Sequence, residues 1–281
     1  MKKIYYIVVV FAILFLAGCG DGIDLPGVNV ETDLNKIPLP DNNVNLEQVE
    51  LKPSTEPMLH EGLHTEEDFQ RIRDKKAARE EPWVSAYQLL VESQFSQKTA
   101  DTYPTEWIKR GVSGDENYMN AARGATIAYQ QALRWKIEQD DEYAAKAVEN
   151  LNKWVQTCVG VTGNTNLSLA AGLYGYEFAI AGELLRDYGG WDRADFAAFQ
   201  NWLLKVFYPA NDDFLKRHHD TNALHYWANW CLCNIAAKMA IGIVTDRRDI
   251  YNEGIDHLQT GDTNGRLRRA IYHDYAPDYN F

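Results

Sequence analysis

Helical periodicity constrains the fold of this 281-residue chain more than any other feature of its sequence. Between positions 143 and 158, apolar residues recur at spacings of three and four, which places them on one helix face. They are Tyr143, Ala144, Ala147, Val148, Leu151, Trp154, Val155 and Cys158. Similar patterns predict helices at about 82–93, 118–139, 167–188, 192–207, 224–244 and 248–259, separated by breaks such as 209–213. No segment has the pattern of paired β-strands, so we expect an all-α fold of stacked helical hairpins.

The first residues have the pattern of an export signal. Lys2 and Lys3 precede a short apolar run that ends at Leu16, and small residues then lead to Cys19. This pattern predicts a lipoprotein signal peptide over residues 1–18, with lipid attached to Cys19, and an outer-membrane location facing the periplasm or the cell surface. A plain signal peptide, in which Cys19 is incidental, is the alternative.

The rest of the chain divides into two segments. Residues 19–57 are rich in Asp, Asn, Pro and Val without a helical period, which predicts a flexible tether. Residues 58–281 form the predicted domain, whose first helix is expected to begin at Thr65, before three acidic residues. The remaining cysteines, Cys158, Cys231 and Cys233, are predicted to be buried apolar residues and not a disulfide framework.

The charge of the chain limits its partners. With 28 Lys and Arg against 40 Asp and Glu, the net charge is −12, which argues against a nucleic-acid partner. A polyanionic substrate would need a local basic patch.

The segment from His218 to Trp230 contains the residues best suited to chemistry. Within a predicted helix, Asn222, His225, Tyr226 and Asn229 would share one face, while Leu224, Trp227, Ala228, Cys231 and Ile235 would pack inward. These polar residue types suit β-elimination in a uronic-acid polymer. The carboxylate must be neutralised, the neighbouring proton removed by a base, and the leaving oxygen protonated.

Purely structural interpretations of these residues also stay open. Asn222 could cap a helix, His225 could be a hydrogen-bonded helix residue, and Tyr226 could be a packed aromatic. Arg217 and His218 form either a substrate-binding basic patch or a solvated loop. A metal site at His218 and His219 is disfavoured because adjacent side chains point in different directions, so no metal is expected.

A second polar cluster opens the predicted helix at 167–188. Asn166 and Tyr174 could line a sugar-binding cleft, together with Trp230, whose ring could hold a sugar by its apolar face. The alternative for Asn164, Thr165 and Asn166 is a loop with a helix cap.

Several of these segments resemble alginate-lyase-type polysaccharide lyases, and most closely polysaccharide lyase family 38, whose members cleave glucuronan or alginate. The resemblance is carried by HEGLHTEEDF at 60–69, YGYEFA at 174–179, YGGW at 188–191 and, most specifically, HYWANW at 225–230. It implies an (α/α) toroid and elimination without metal or cofactor. In that scheme His225 neutralises the carboxylate or acts as base, assisted by Asn229 or Asn222, and Tyr226 is a substitute proton donor.

The chain also departs from that family. A later motif with an arginine, expected after position 281, has no counterpart here, so the resemblance predicts a truncated chain and an incomplete toroid. Two other functions stay open. One is a non-catalytic glycan-binding lipoprotein, and the other is a glycoside hydrolase that would use a carboxylate pair such as Glu177 and Glu183.

Overall fold

The computed structural model describes residues 58, 60 and 62–272, except the side chains of residues 271 and 272. The predicted signal peptide, the tether and the lipidation site Cys19 lie outside the described residues. The described part is predominantly helical, which confirms the all-α prediction. The toroid stays a prediction.

The helices follow one another along the chain, and the segment from Ser93 to Asn117 is the longest connection between them. They are α1 (Glu66–Ala77), α2 (Trp83–Glu92), α3 (Tyr118–Glu138), α4 (Asp141–Thr157), α5 (Leu167–Leu184), α6 (Arg193–Val206), α7 (Tyr208–Arg217), α8 (Ala228–Val244), α9 (Arg248–Thr260) and α10 (Leu267–Tyr272). As predicted, Thr65 is the N-cap of α1, where it forms a reciprocal capping box with Asp68.

Three sequence predictions are wrong in detail. Two short strands exist, β1 (Trp107–Arg110) and β2 (Gly160–Gly163), which pair in parallel from Trp107 opposite Gly160 to Arg110 opposite Gly163. The predicted break at 209–213 is part of α7, because Pro209 lies in the first turn, where a missing N–H costs nothing. The helix expected from 224 begins only at Ala228.

Helix α5 lies at the centre of the packing. It contacts α3 on one side and α8 on another, and α8 in turn packs against α9. Small buried residues on α5 permit this close approach: a Cβ on Gly172 would lie 2.6 Å from the Cys233 sulfur of α8. The core between α4, α5 and α6 is aromatic, with Phe178 in contact with Trp154, Trp202 and Phe207. Cys158, Cys231 and Cys233 are buried free thiols, as predicted.

None of the helices in the described part of the chain is both long enough and apolar enough to cross a membrane.

Candidate active site

The connection between α7 and α8 begins with a strained turn at His218–Asp220. His218, His219 and Asp220 have φ angles of 49°, 53° and 60°, and each side chain carries a Cβ that makes this region unfavourable. Left-handed backbone costs about 1–2 kcal/mol per residue for such side chains. Strain of this kind persists where the surrounding contacts dictate the conformation, and it is concentrated at functional sites.

The two histidine side chains have different polar partners, although both rings pack against Phe214. The His219 Nε2 atom lies 3.0 Å from Ser168 Oγ in the first turn of α5. The His218 ring packs against Phe214, with Nε2 3.9 Å from the Cys231 sulfur. Burial lowers the pKa of both imidazoles, that of His218 to about 4, so both rings are neutral at pH 7. His218 is thus a buried packing residue. This buried position does not favour the predicted contact with substrate.

The predicted common helix face of Asn222, His225, Tyr226 and Asn229 is wrong. The first three lie in turns before α8, whose N-cap is Trp227, so Asn222 does not cap a helix either. Instead, Asn222 Oδ1 accepts a hydrogen bond of 2.8 Å from the backbone N–H of Leu224. The helix does not begin at residue 224 because backbone carbonyls of this loop accept hydrogen bonds from a distant residue.

That distant residue is Asn264. Its Nδ2 donates to the carbonyl oxygens of Leu224 and Tyr226, at 2.9 Å each. Both carbonyls are therefore occupied by a side chain from beyond α9, and the loop has a defined shape without being helical.

The side chain of Tyr226 lies at the centre of this loop. Its ring is 7% exposed and lies among the rings of Phe214, His219, His225 and Trp230, at centroid distances of 4.7 to 5.8 Å. Burial raises the pKa of Tyr226 in spite of an opposing hydrogen bond with Thr165, so the phenol is protonated at neutral pH. A protonated phenol can donate a proton or a hydrogen bond.

The exposed edge of the site differs from the prediction. Trp227, which was expected to pack inward, is 71% exposed, and His225 and Asn229 are exposed beside it. Trp230, the predicted sugar platform, is half-buried against Tyr226 and Phe214. Of the two tryptophans in this segment, Trp227 is therefore the exposed one.

The second polar cluster meets the first. Asn166 is the N-cap of α5, and its N–H and its Nδ2 both donate to Asn164 Oδ1, at 2.9 and 3.0 Å. Thr165, between these two residues, borders the Tyr226 phenol, and Ser168, two residues after Asn166, contacts His219. Asn166 thus occupies the N-cap position without a side-chain capping hydrogen bond, and its predicted role in a sugar-binding cleft stays a prediction.

Two other predicted substrate-binding residues have partners of their own. Tyr174 is buried, with its ring stacked at 6.5 Å on Tyr118. The Arg217 guanidinium forms an ion pair of 2.8 Å with Asp213. Arg217 is the last residue of α7, directly before the strained turn.

Arg110 is the residue that the sequence analysis missed. It ends β1, is 9% exposed, and stacks over the Tyr118 ring at 4.7 Å. Among the described residues its Nη1 atom has no hydrogen-bond partner and its guanidinium has no carboxylate in an ion pair. The sequence signal for a special backbone position here is Gly163, which lies opposite Arg110. Its φ is 142°, and a Cβ at this position would lie 1.7 Å from the Arg110 carbonyl oxygen.

A carboxylate pair for glycoside hydrolysis is not evident on α5. Glu183 is engaged by Arg186 at 2.9 Å and by His60 at 3.2 Å. Glu177 is half-buried beside Thr126, and desolvation raises its pKa to about 7. No group of three or more His, Cys, Asp or Glu side chains in the described ranges has the geometry of a metal site.

Comparison with known proteins gives one match. A search of curated proteins and a search of solved structures each return no significant similarity. The family model described as alginate lyase matches residues 71–270, which is most of the chain and includes Arg110, the start of α5 and the whole His218–Trp230 turn. By this match the chain belongs to the alginate lyase family, whose activity is that of a polysaccharide lyase on a polyuronate.

Proposed function

We propose that this chain cleaves a uronic-acid polymer, alginate or glucuronan, by β-elimination at the site around Tyr226. In that reaction the proton at C5, next to the carboxylate, is removed, and the glycosidic oxygen at C4 departs with a proton. The product has a C4–C5 double bond conjugated to the carboxylate. The observation that supports the proposal is the convergence of the His218–Trp230 segment with the start of α5, where Ser168 Oγ lies 3.0 Å from His219 Nε2 and the His219 ring lies 5.8 Å from that of Tyr226.

Tyr226 is the proposed proton donor to the leaving oxygen. Its phenol is kept protonated by burial, which is the form that an acid catalyst needs. His219 lies behind the Tyr226 ring and is fixed by Ser168, so it positions the tyrosine.

His225 is the proposed base or carboxylate-neutralising donor. Its ring is exposed and stands edge-on to Tyr226 at 5.0 Å, so a sugar bound across the pair can meet both groups. Asn229 is exposed in the first turn of α8, near the positive end of the helix dipole, and its amide is the proposed donor to the carboxylate. Since Asn222 Oδ1 already accepts from Leu224, only its Nδ2 is proposed to assist.

The sugar rings are proposed to lie along the exposed edge of the turn. Trp227 offers an exposed apolar ring face, and Asn166 and Trp230 border the same region through Thr165 and Tyr226. The pyranose ring of a uronate has an apolar face that packs on aromatic rings, while its carboxylate faces the polar groups.

Product analysis tests this function. The chain is incubated with alginate, with glucuronan and with carboxyl-reduced alginate, and ultraviolet absorbance and product masses are followed. We expect absorbing, unsaturated oligosaccharides from at least one polyuronate and none from the neutral polymer. Saturated reducing ends would indicate hydrolysis instead, and binding without any shortening of the chains would indicate a non-catalytic glycan-binding protein.

We also propose that the protein is an exported lipoprotein anchored in the outer membrane through Cys19. The supporting observation is the run from Lys2 to Cys19 in the sequence. Metabolic labelling with a fatty-acid analogue, followed by membrane fractionation, tests this location. We expect label on the wild type and none on Cys19→Ala; equal labelling of the two proteins would contradict the anchor.

A further inference from the structure

Among the described residues, none forms an ion pair with the buried guanidinium of Arg110. A guanidinium has five N–H donors, and burying one without an anion is costly. Here the residue is nine-tenths buried, and Nη1 lacks a hydrogen-bond partner among the described residues. Its described contact is the face of Tyr118, a partly exposed ring that in turn stacks on Tyr174. Within the part of the chain that the structure describes, the charge therefore packs against aromatic rings and has no counter-ion.

The position of Arg110 connects it with the candidate active site. It ends β1 directly opposite Gly163, and the residues that follow Gly163 lead into the start of α5, where Ser168 Oγ lies 3.0 Å from His219 Nε2. On the other side it lies near α8, because its charge acts on the Cys233 thiol, one turn after Trp230. Arg110 therefore lies between the two segments that converge at the site.

We propose that Arg110 binds a carboxylate of the polyuronate chain, with Tyr118 and Tyr174 as the aromatic wall of that subsite. This inference rests on the proposed function for the identity of the anion, but its chemistry requires only a carboxylate-bearing sugar. The fork of a guanidinium matches a carboxylate, and both partners are largely removed from water, where charge-assisted hydrogen bonds are strongest. A buried guanidinium that lacks an ion-pair partner among the described residues favours a uronate over a neutral sugar, because only the uronate brings a compensating negative charge.

A binding role and a structural role of Arg110 lead to different melting temperatures when the residue is replaced. Replacing Arg110 by Met removes a cation that has no ion pair among the described residues and retains most of the packing volume. We expect the unliganded Arg110→Met protein to keep the melting temperature of its parent within about 4 °C. A structural role would lower the melting temperature well beyond that.

Binding is measured in the full chain carrying Tyr226→Phe, so that the polymer is not consumed. The probes are sodium alginate and carboxyl-reduced alginate, and their binding is measured by affinity electrophoresis and calorimetry. We expect Arg110→Met to weaken alginate binding by about tenfold to a hundredfold. Arg110→Lys, which keeps the charge but loses the fork, should give an intermediate loss. Arg193→Met, which removes an equal charge from the exposed start of α6, is the matched control and should bind like its parent.

The outcomes separate this inference from the proposed function. An Arg110-dependent affinity for alginate, absent for the neutral polymer, supports the subsite even if the unsubstituted chain forms no unsaturated products. Unchanged alginate binding by Arg110→Met, or an equal loss for the neutral polymer, overturns the subsite even if cleavage is observed. Absence of any alginate binding by the parent protein overturns it as well.

Discussion

The hydroxyl of Tyr226 can be tested separately from its ring. Tyr226→Phe keeps the contacts with Phe214 and Trp230 and removes only the phenol that binds Thr165. If this phenol protonates the leaving oxygen, we expect kcat to fall by about 10²–10⁴-fold, the usual contribution of a general acid. Initial rates of absorbance increase on alginate and glucuronan measure this effect.

A matched control removes a comparable phenol elsewhere. Tyr208 is also buried, and its hydroxyl lies 3.2 Å from Glu253. Tyr208→Phe should cost a similar stability, about 1 kcal/mol, and leave the rate unchanged. Equal rate losses in both variants would show that the Tyr226 effect is one of stability and not of catalysis.

His218 gives the folded chain a pH dependence whose sign can be worked out. Burial lowers its pKa to about 4 in the folded state, with repulsion from His257 and His219 adding to the shift, against about 6.5 when unfolded. Because the unfolded chain binds more protons between these values, the free energy of unfolding falls as the pH falls from 6.5 toward 4.

The variant His218→Asn isolates this contribution, since Asn does not titrate and tolerates a positive φ. Between pH 7 and pH 5 we expect the wild type to lose about 2 kcal/mol more unfolding free energy than the variant. Urea unfolding at the two pH values measures the difference, in which titrations common to both proteins cancel. Equal losses in the two proteins would contradict a buried neutral His218.

At the scale of elements, helices α7, α8 and α9 are joined by one buried lysine. Lys238 of α8 has no exposed surface, and its Nζ lies 2.8 Å from Asp212 of α7 and 2.6 Å from Glu253 of α9. Lys238→Met would leave both carboxylates without this partner. We expect a loss of about 2–3 kcal/mol in unfolding free energy, at the lower end for buried pairs because both carboxylates are partly exposed.

Lys216→Met is the matched control for this prediction. Lys216 also pairs with Asp212, at 2.8 Å, but 59% of its side chain is exposed. Its loss should cost less than about 1 kcal/mol, as for other surface pairs. Equal losses in the two variants, measured by denaturant unfolding at pH 7, would contradict a special role of burial at Lys238.

The elements show why sequence periodicity succeeded in some places and failed in others. The helix predicted at 118–139 is observed at Tyr118–Glu138, because its apolar pattern reflects contacts along its whole length. The start of α8 was misplaced because the carbonyls of Leu224 and Tyr226 are occupied by Asn264, some forty residues away. A periodic pattern within one segment contains no information about such a contact.

The same reasoning explains the candidate site. The residue types of the His218–Trp230 turn were recognisable, but their common helix face was wrong, and the meeting of Thr165 with Tyr226 depends on tertiary packing. Arg110 was missed because its strand has four residues and pairs with residues 160–163, so neither length nor alternation marks it.

At the scale of the whole molecule, the net charge of −12 opposes a polyanionic substrate. This repulsion acts over tens of ångströms, whereas a contact at Arg110 acts over a few. At 0.01 M salt the Debye length is about 30 Å, and at 0.1 M it is about 10 Å, so added salt screens the long-range repulsion first. A largely buried contact is screened much less.

We therefore expect kcat/KM on long polyuronate chains to rise as NaCl increases from about 10 to 100 mM, because encounter is hindered mainly by long-range repulsion. A uronate tetramer, which has few charges, is the matched control and should respond much less. Initial rates for both substrates at constant pH measure the effect. A steady fall with salt on the polymer would show instead that a local basic field dominates the encounter, and that the net charge of the chain does not reach the site.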